Sequence, residues 1–183
     1  MKRVVLFLGI SLIVAFLGGV IWFANGAKGF TFEHEVKTDL SMDQVYRVLT
    51  DRDLQQFWGN ARTNYVVETP GDFKVGTRVT YSVVDGDKVY AFTEEIVELA
   101  KPNRLVVKIE TEPFEATLTY TILRLDSQTE LHVVADGNLK GWAKWGGSVA
   151  LKAIEDKIKG DLEELGLKLN RSIELRMILD NSN

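Results

Sequence analysis

Between Arg62 and Leu139, six short runs of strand-forming residues follow one another, separated by glycine, proline, aspartate and asparagine. Several runs alternate apolar and polar side chains, which is the period of a strand with one buried face. Because short connections join neighbouring strands only in opposite directions, the sequence predicts an antiparallel meander. The predicted strands are about Arg62–Glu68, Gly76–Val84, Tyr90–Leu99, Arg104–Glu110, Glu115–Asp126 and Thr129–Leu139.

Other elements flank this meander on both sides. Phe30–Lys37 alternates with period two and predicts a first strand. Ser41 and Gln44 have the spacing of a capping box, which predicts a helix start at that point. A second short helix is predicted from Asp51–Trp58, and a long helix from Gly147–Asn170. The long helix carries one apolar stripe, formed by Leu151, Ile154, Ile158, Leu162, Leu165 and Leu169.

The N-terminal segment has a different character, because Val4–Ala24 contains no charged residue. As a helix this run would span roughly 31 Å, close to the thickness of one bilayer core. Lys2 and Arg3 precede it, so we expect residues 1–28 to anchor the chain in a membrane with the following domain on the extracytoplasmic side. The alternatives are a signal peptide cleaved near Ala24-Asn25-Gly26, which would leave a secreted or periplasmic protein, and a buried core helix.

Charge and composition narrow the function classes. The net charge is −4 and no basic stripe is present, which argues against nucleic acid as a partner. The chain has no cysteine and two histidines on separate strands, so we expect no disulfide and no metal site. No phosphate-binding loop, dinucleotide fingerprint or Gly-x-Ser-x-Gly motif occurs, and no cofactor is expected.

The order strand, two short helices, six strands and long helix resembles the START/Bet v 1-like superfamily, also called the polyketide cyclase/dehydrase and lipid-transport superfamily. The resemblance covers about Phe30 to Leu169. It implies an α+β helix-grip fold, in which a seven-stranded antiparallel sheet curls around the C-terminal helix and leaves a cavity. The domain would then occupy residues 29–170, followed by a C-terminal tail at 171–183. The segments that carry the resemblance are Thr38-Asp39, Asp51-Arg52-Asp53-Leu54, Phe57-Trp58, Pro70–Val79 and Lys101–Leu105.

A curled sheet closed by one helix has an interior that side chains or a ligand must fill. Alternation places an apolar set with a few hydroxyls on the inward face, so the interior is either a hydrophobic ligand site or an ordinary packed core. The inward set is Phe30, Phe32, His34, Val36, Val79, Tyr81, Val83, Ala116, Leu118, Tyr120, Ile122, Leu131, Val133 and Ala135. The candidate ligand-binding residues are Phe32, His34, Tyr81, Leu118, Tyr120, Trp142 and Trp145.

Both tryptophans lie on the predicted loop Gly137–Gly147. In members of the superfamily this connection borders the cavity entrance. Trp142 and Trp145 could gate a ligand, enter a nearby bilayer or pack under the long helix, and the sequence leaves these interpretations open.

Three titratable residues are candidates for acid/base chemistry. His34 is the inward histidine, whereas His132 has the opposite parity and is expected on the surface. Glu94 and Glu95 are adjacent on a strand, so one of them faces inward. The register remains open, because Tyr90, Phe92 and Ile96 form one plausible inner set and Ala91, Val97 and Leu99 form the other.

These features support three hypotheses for function. The first is binding or transport of a lipid-like or aromatic molecule on the outer side of a membrane. The second is an enzyme resembling polyketide cyclases and aromatases, with His34 or an inward glutamate as acid or base. The third is a protein interaction module whose core is filled. The tail from Arg171 onward could continue the helix, cover a sheet edge or contact a partner.

Overall fold

The structure, a computed structural model, describes residues 29–51, 54, 62–68, 73–85, 87–141 and 143–171. This part of the chain forms seven strands and two helices, in an α+β arrangement. All seven predicted strands are present, with ends that differ from the prediction by a few residues. The elements are β1 (Gly29–Thr38), α1 (Met42–Thr50), β2 (Arg62–Val67), β3 (Arg78–Asp85), β4 (Lys88–Ala100), β5 (Arg104–Thr111), β6 (Phe114–Leu125), β7 (Gln128–Leu139) and α2 (Ala143–Arg171).

The seven strands form one curved antiparallel sheet in the order β1-β7-β6-β5-β4-β3-β2. Strands β2 to β7 are a meander, as predicted. The first strand pairs with the last one, from Gly29 opposite Asn138 to Thr38 opposite Thr129. Strands β1 and β2 therefore form the two edges of the sheet.

Helix α1 begins as the sequence predicts. The Gln44 backbone N–H donates to the Ser41 hydroxyl at 3.2 Å, and the Ser41 N–H donates to Gln44 Oε1 at 2.8 Å. This capping box satisfies two N–H groups that the first turn leaves without a partner. Val45 and Val48 behind the cap are completely buried. Most of the predicted second helix lies outside the described residues.

Helix α2 lies along β1 and is anchored to it at its C-terminal end. The Asn170 side-chain amide donates to the Lys37 carbonyl at 2.8 Å, and the Thr38 hydroxyl donates to the Leu169 carbonyl at 3.5 Å. Gly166 faces Val36 so closely that a Cβ at Gly166 would lie 3.2 Å from a Val36 methyl. The predicted apolar stripe faces the sheet, although only its second half (Leu162, Leu165 and Leu169) is fully buried.

The start of α2 is interrupted. Gly147 has φ 52° and ψ −130°, a conformation outside the helical region that a residue with a side chain rarely adopts. The continuous helix therefore begins after Gly147, which agrees with the predicted start there. A short helical segment, Ala143–Gly146, precedes the break.

The inner face of the sheet holds the predicted inward residues. Eleven of the fourteen are buried, while Phe30, Phe32 and His34 on the edge strand are half-buried. Within the described residues, no helix is both long enough and apolar enough to span a membrane. The predicted anchor at 1–28 and the tail after Arg171 lie outside the described residues.

Two glycines on α2 allow a matched test of its packing. At Gly160 a Cβ would meet nothing within 4 Å, whereas at Gly166 it would press on Val36. We expect Gly160→Ala to raise the free energy of unfolding by about 0.5–1 kcal/mol, because alanine restricts the unfolded chain and favours the helix. Gly166→Ala should raise that free energy less than Gly160→Ala or lower it, because Val36 must shift to admit the Cβ. Chemical denaturation followed by circular dichroism checks both variants, and an equal effect at the two sites would contradict the packing described.

Candidate functional site

The space between the sheet and α2 is packed differently at its two ends. At one end Ile122, Leu131, Val133 and Leu165 have no exposed surface and form a sealed core with α1. At the other end several side chains around Phe114 and Ala116 are only half-buried. This second group contains Phe30 and Phe92 from the sheet, Ile109 from β5, and Leu151 and Ile154 from the first turns of α2.

Four aromatic rings cross the inner face at this less sealed end. Tyr81 and Phe92 are stacked, with ring centroids 5.4 Å apart and planes 5° from parallel. Phe92 meets Phe114 edge to face at 6.1 Å, and Phe114 meets Phe30 in the same manner at 6.0 Å. We call Tyr81, Phe92, Phe114 and Phe30 the aromatic row. Rings at these distances and angles attract one another beyond their burial alone.

A glycine makes room for the last ring of the row. A Cβ at Gly137 would lie 2.5 Å from Phe30 Cζ and 2.6 Å from the Glu115 carbonyl oxygen. Only a residue without a side chain permits the Phe30 ring to rest on β7 at this point. The Gly137 position in the strand therefore serves the packing of Phe30.

The structure assigns the register of β4 and selects one of the two candidate glutamates. Glu94 is opposite the buried Val79 and lies on the inner face, while Glu95 is opposite Arg78 on the outer face. The Tyr81 hydroxyl donates to Glu94 Oε1 at 2.5 Å. A hydrogen bond to a carboxylate is short and stronger than one between neutral groups. Tyr81 and Glu94 thus form a polar pair at one end of the aromatic row.

A β-bulge explains why the sequence offered two inner sets for β4. The register shifts between Ile96 and Glu98, so Val97 is the extra residue of the strand. A bulge moves the residues after it to the opposite face. Ile96 before the bulge and Leu99 after it consequently both pack against the core, although their positions differ in parity.

The two histidines lie away from the Tyr81–Glu94 pair. His34 is on edge strand β1, and three strands lie between β1 and β4. It lines a groove of about 510 Å³ between β1 and the end of α2, together with Glu35, Lys37, Glu163, Leu167 and Asn170. His132 faces the outer side as expected, but it is half-buried and lies 3.5 Å from the Glu33 carboxylate. The described residues contain no group of three His, Cys, Asp or Glu side chains that could hold a metal ion.

The remaining candidate residues divide between the core and the surface. Leu118 and Tyr120 belong to the sealed core, with Phe32 packed against it. Trp145 is 64% exposed and does not pack under α2. Trp142 lies outside the described residues.

Sequence reasoning missed Phe114 and left Phe92 undecided. The predicted strand began one residue after Phe114, although the turn residues Glu112-Pro113 directly before it were a usable signal for the strand start. The inward orientation of Phe92 depends on the register between β3 and β4, which pairs it with Tyr81.

Comparisons with known proteins agree with this architecture. A family model described as "Activator of Hsp90 ATPase homolog 1-like protein" matches residues 39–158. The chain belongs to this family. It is thereby a member of the START/Bet v 1-like superfamily, as the resemblance indicated, and its fold is one used by ligand-binding proteins. A search of curated proteins by sequence found no match.

Solved structures share the fold at low sequence identity. The Mll3558 protein from Rhizobium loti is 20% identical with a TM-score of 0.61, covering 77% of this chain and 97% of that one. The TTHA0849 protein from Thermus thermophilus is 18% identical with a TM-score of 0.62, covering 84% and 100% of the two chains. Ara h 8.0201 is 15% identical with a TM-score of 0.62, covering 77% and 97%. At these identities the likeness establishes the fold alone.

An ion pair at the less sealed end ties the loop before α2 to the sheet. The Lys140 ammonium contacts the Glu110 carboxylate, and the Lys140 backbone N–H donates to the Pro113 carbonyl at 2.8 Å. The hydrogen bond and the charge of Lys140 hold the pKa of Glu110 below its ordinary value of 4.5. Because this pKa is lower in the folded protein, the stabilisation is present above the unfolded pKa and is lost as pH falls through the folded pKa.

We therefore expect Lys140→Met to raise the pKa of Glu110 toward its ordinary value. The stability of the variant should also depend less on pH across the acidic range between the folded and unfolded pKa values of Glu110. An NMR titration of the Glu110 carboxyl measures the pKa directly, with Lys108→Met as the control because Lys108 contributes only a smaller charge effect. An unchanged pKa in Lys140→Met would contradict this assignment.

Proposed function

We propose that this protein binds a lipid-like or aromatic small molecule between the inner face of the sheet and the first half of α2. The observation that carries the proposal is the aromatic row at the end of the interior where Leu151 and Ile154 stay half-buried. Ring faces and aliphatic side chains offer a ligand a large apolar contact area, and burying that area drives binding.

The Tyr81–Glu94 pair gives this apolar surface one polar position. Small-molecule sites are typically apolar with a few polar groups that fix the orientation of the ligand. Tyr81 is 5% exposed and Glu94 is half-buried, so both lie at the inner surface rather than in open solvent. The polar end of the ligand would approach this pair while its apolar part lies along the aromatic row.

The proposal includes a location on the outer side of a membrane. Its support is the uncharged run Val4–Ala24 with Lys2 and Arg3 before it. A hydrophobic ligand partitions into lipid, so a membrane-tethered binding domain lies next to the source of its ligand.

Two other functions remain alternatives to be tested. The family description names an activator of an ATPase, which favours a protein interaction module if the interior takes up no ligand. A cyclase-like enzyme would have to use His34 and Glu94 separately, because three strands lie between them. The Tyr81 hydroxyl is a hydrogen-bond partner of Glu94.

Filling the less sealed end should abolish ligand binding. Ala116 is 4% exposed and packs with Phe114 at this end, whereas its neighbour Thr117 faces outward. We expect Ala116→Leu to reduce the bound fraction of a hydrophobic ligand at least about tenfold, because the added carbons occupy the space beside the rings. Thr117→Leu, the matched control, should leave binding unchanged.

The measurement is native mass spectrometry of the full chain released from detergent, with extraction and identification of any adduct. A stoichiometric lipid or aromatic adduct in the parent and in Thr117→Leu, but not in Ala116→Leu, is the expected result. Thermal unfolding verifies that both variants are folded. A parent chain that stays free of adduct after incubation with a lipid extract would overturn the proposal and favour the interaction module.

A further inference from the structure

The three most exposed large hydrophobic side chains of the described residues are Val149, Val89 and Trp145, which are 74%, 66% and 64% exposed. Trp145 lies just before the break at Gly147, and Val149 lies just after it. Val89 lies near the start of β4, opposite Val84. Exposed apolar side chains that gather in one region mark a surface that meets an apolar partner.

All three residues lie at the end of the fold where the described chain begins. Gly29 pairs with Asn138, and this line of paired residues continues across β6 and β5 to Thr93 on β4. Strands β1 and β4 run in the same direction. Because Val89 precedes Thr93 on β4, the start of β4 extends past this line of paired residues on the Gly29 side. We call this side of the molecule the Gly29 end.

The beginning of α2 is at the same end. Phe30, the second residue of β1, packs in one cluster with Ala143, Ala150 and Leu151. Trp145 and Val149 are within a few residues of these contacts. The Gly29 end therefore presents Trp145, Val149 and Val89 together with the entry of the chain from its N-terminal segment.

The sequence limits how far this end can be from a membrane that holds residues 4–24. Five residue steps lead from Ala24 to Gly29, and an extended chain covers about 17 Å in five steps. If Val4–Ala24 spans the bilayer as proposed, the Gly29 end is held beside the lipid surface and the opposite end is held away from it.

We propose that Trp145 and Val149, with Val89 at the same end of the fold, insert into the interfacial region of a phospholipid bilayer. Indole favours that region because it has an apolar ring and a polar N–H. The exposed Lys144 and Lys152 next to these residues can extend their ammonium groups toward the headgroups while their stems lie along the apolar surface. The chain carries a net charge of −4, so apolar insertion rather than attraction to anionic lipid provides the contact.

This inference rests on the membrane location included in the proposed function and not on ligand binding, so it fails separately from the ligand-binding part of that function. The sequence contains no cysteine, so one introduced thiol is a unique labelling site. Val149→Cys probes the proposed contact, and Leu167→Cys is the matched control. Leu167 is also aliphatic and exposed on α2, but it lies roughly 27 Å farther along the helix.

The experiment attaches an environment-sensitive fluorophore to each variant of the full chain in nanodiscs of zwitterionic phosphatidylcholine, with and without spin-labelled lipid as quencher. We expect the probe at position 149 to be blue-shifted and quenched at least about twofold, and the probe at position 167 to be unaffected. Val89→Cys should behave as Val149→Cys does. Equal quenching at 149 and 167, no quenching at 149, or a chain that does not associate with the nanodisc would each overturn the proposal. Detection of the ligand adduct by native mass spectrometry would be unaffected by any of these outcomes.

Discussion

The pairing of β1 with β7 is the contact on which the rest of the structure depends. It joins residues about a hundred positions apart and adds β1 as the seventh strand, at the edge of the six-stranded meander. Helix α2 then lies along β1, held by the Asn170 amide on the Lys37 carbonyl and by the close approach of Gly166 to Val36. Without β1 at that edge, α2 would lose the strand that it contacts most extensively.

The division of the interior into two ends follows from this arrangement. Where α2 approaches β1 most closely, its leucines seal the core together with α1. Toward its start the helix leaves Leu151 and Ile154 half-buried, and the facing sheet carries the aromatic row. In the proposed function, the sealed core stabilises the domain and the less sealed aromatic end takes up the ligand.

The two proposals concern neighbouring parts of the molecule. The aromatic row ends at Phe30, one residue after the start of β1, and Trp145 and Val149 lie beside the same segment of α2. A bilayer in contact with the Gly29 end would be adjacent to the less sealed end of the interior. A hydrophobic molecule passing between the bilayer and the interior would then cross little water. Exposure to water is the main barrier to transfer of an apolar solute.

Local patterns in the sequence were sufficient to predict the strands and helices and the face of each that is buried. Strand-like runs, several of them alternating, and the turn residues between them identified the seven strands. The Ser41–Gln44 pair predicted the start of α1, and the apolar stripe predicted α2. These features depend on residues a few positions apart, because a strand has period two and a helix 3.6.

Tertiary structure decided the points that depend on register between distant strands. A single bulge at Val97 placed Ile96 and Leu99 on one face, and no local pattern in β4 required it. The register between β3 and β4 turned Glu94 inward to Tyr81 and Glu95 outward, and it set Phe92 in the aromatic row. The sequence by itself determined which segments become strands and helices. The packed fold determined which side chains meet, because a shift of one residue between paired strands moves every side chain to the other face.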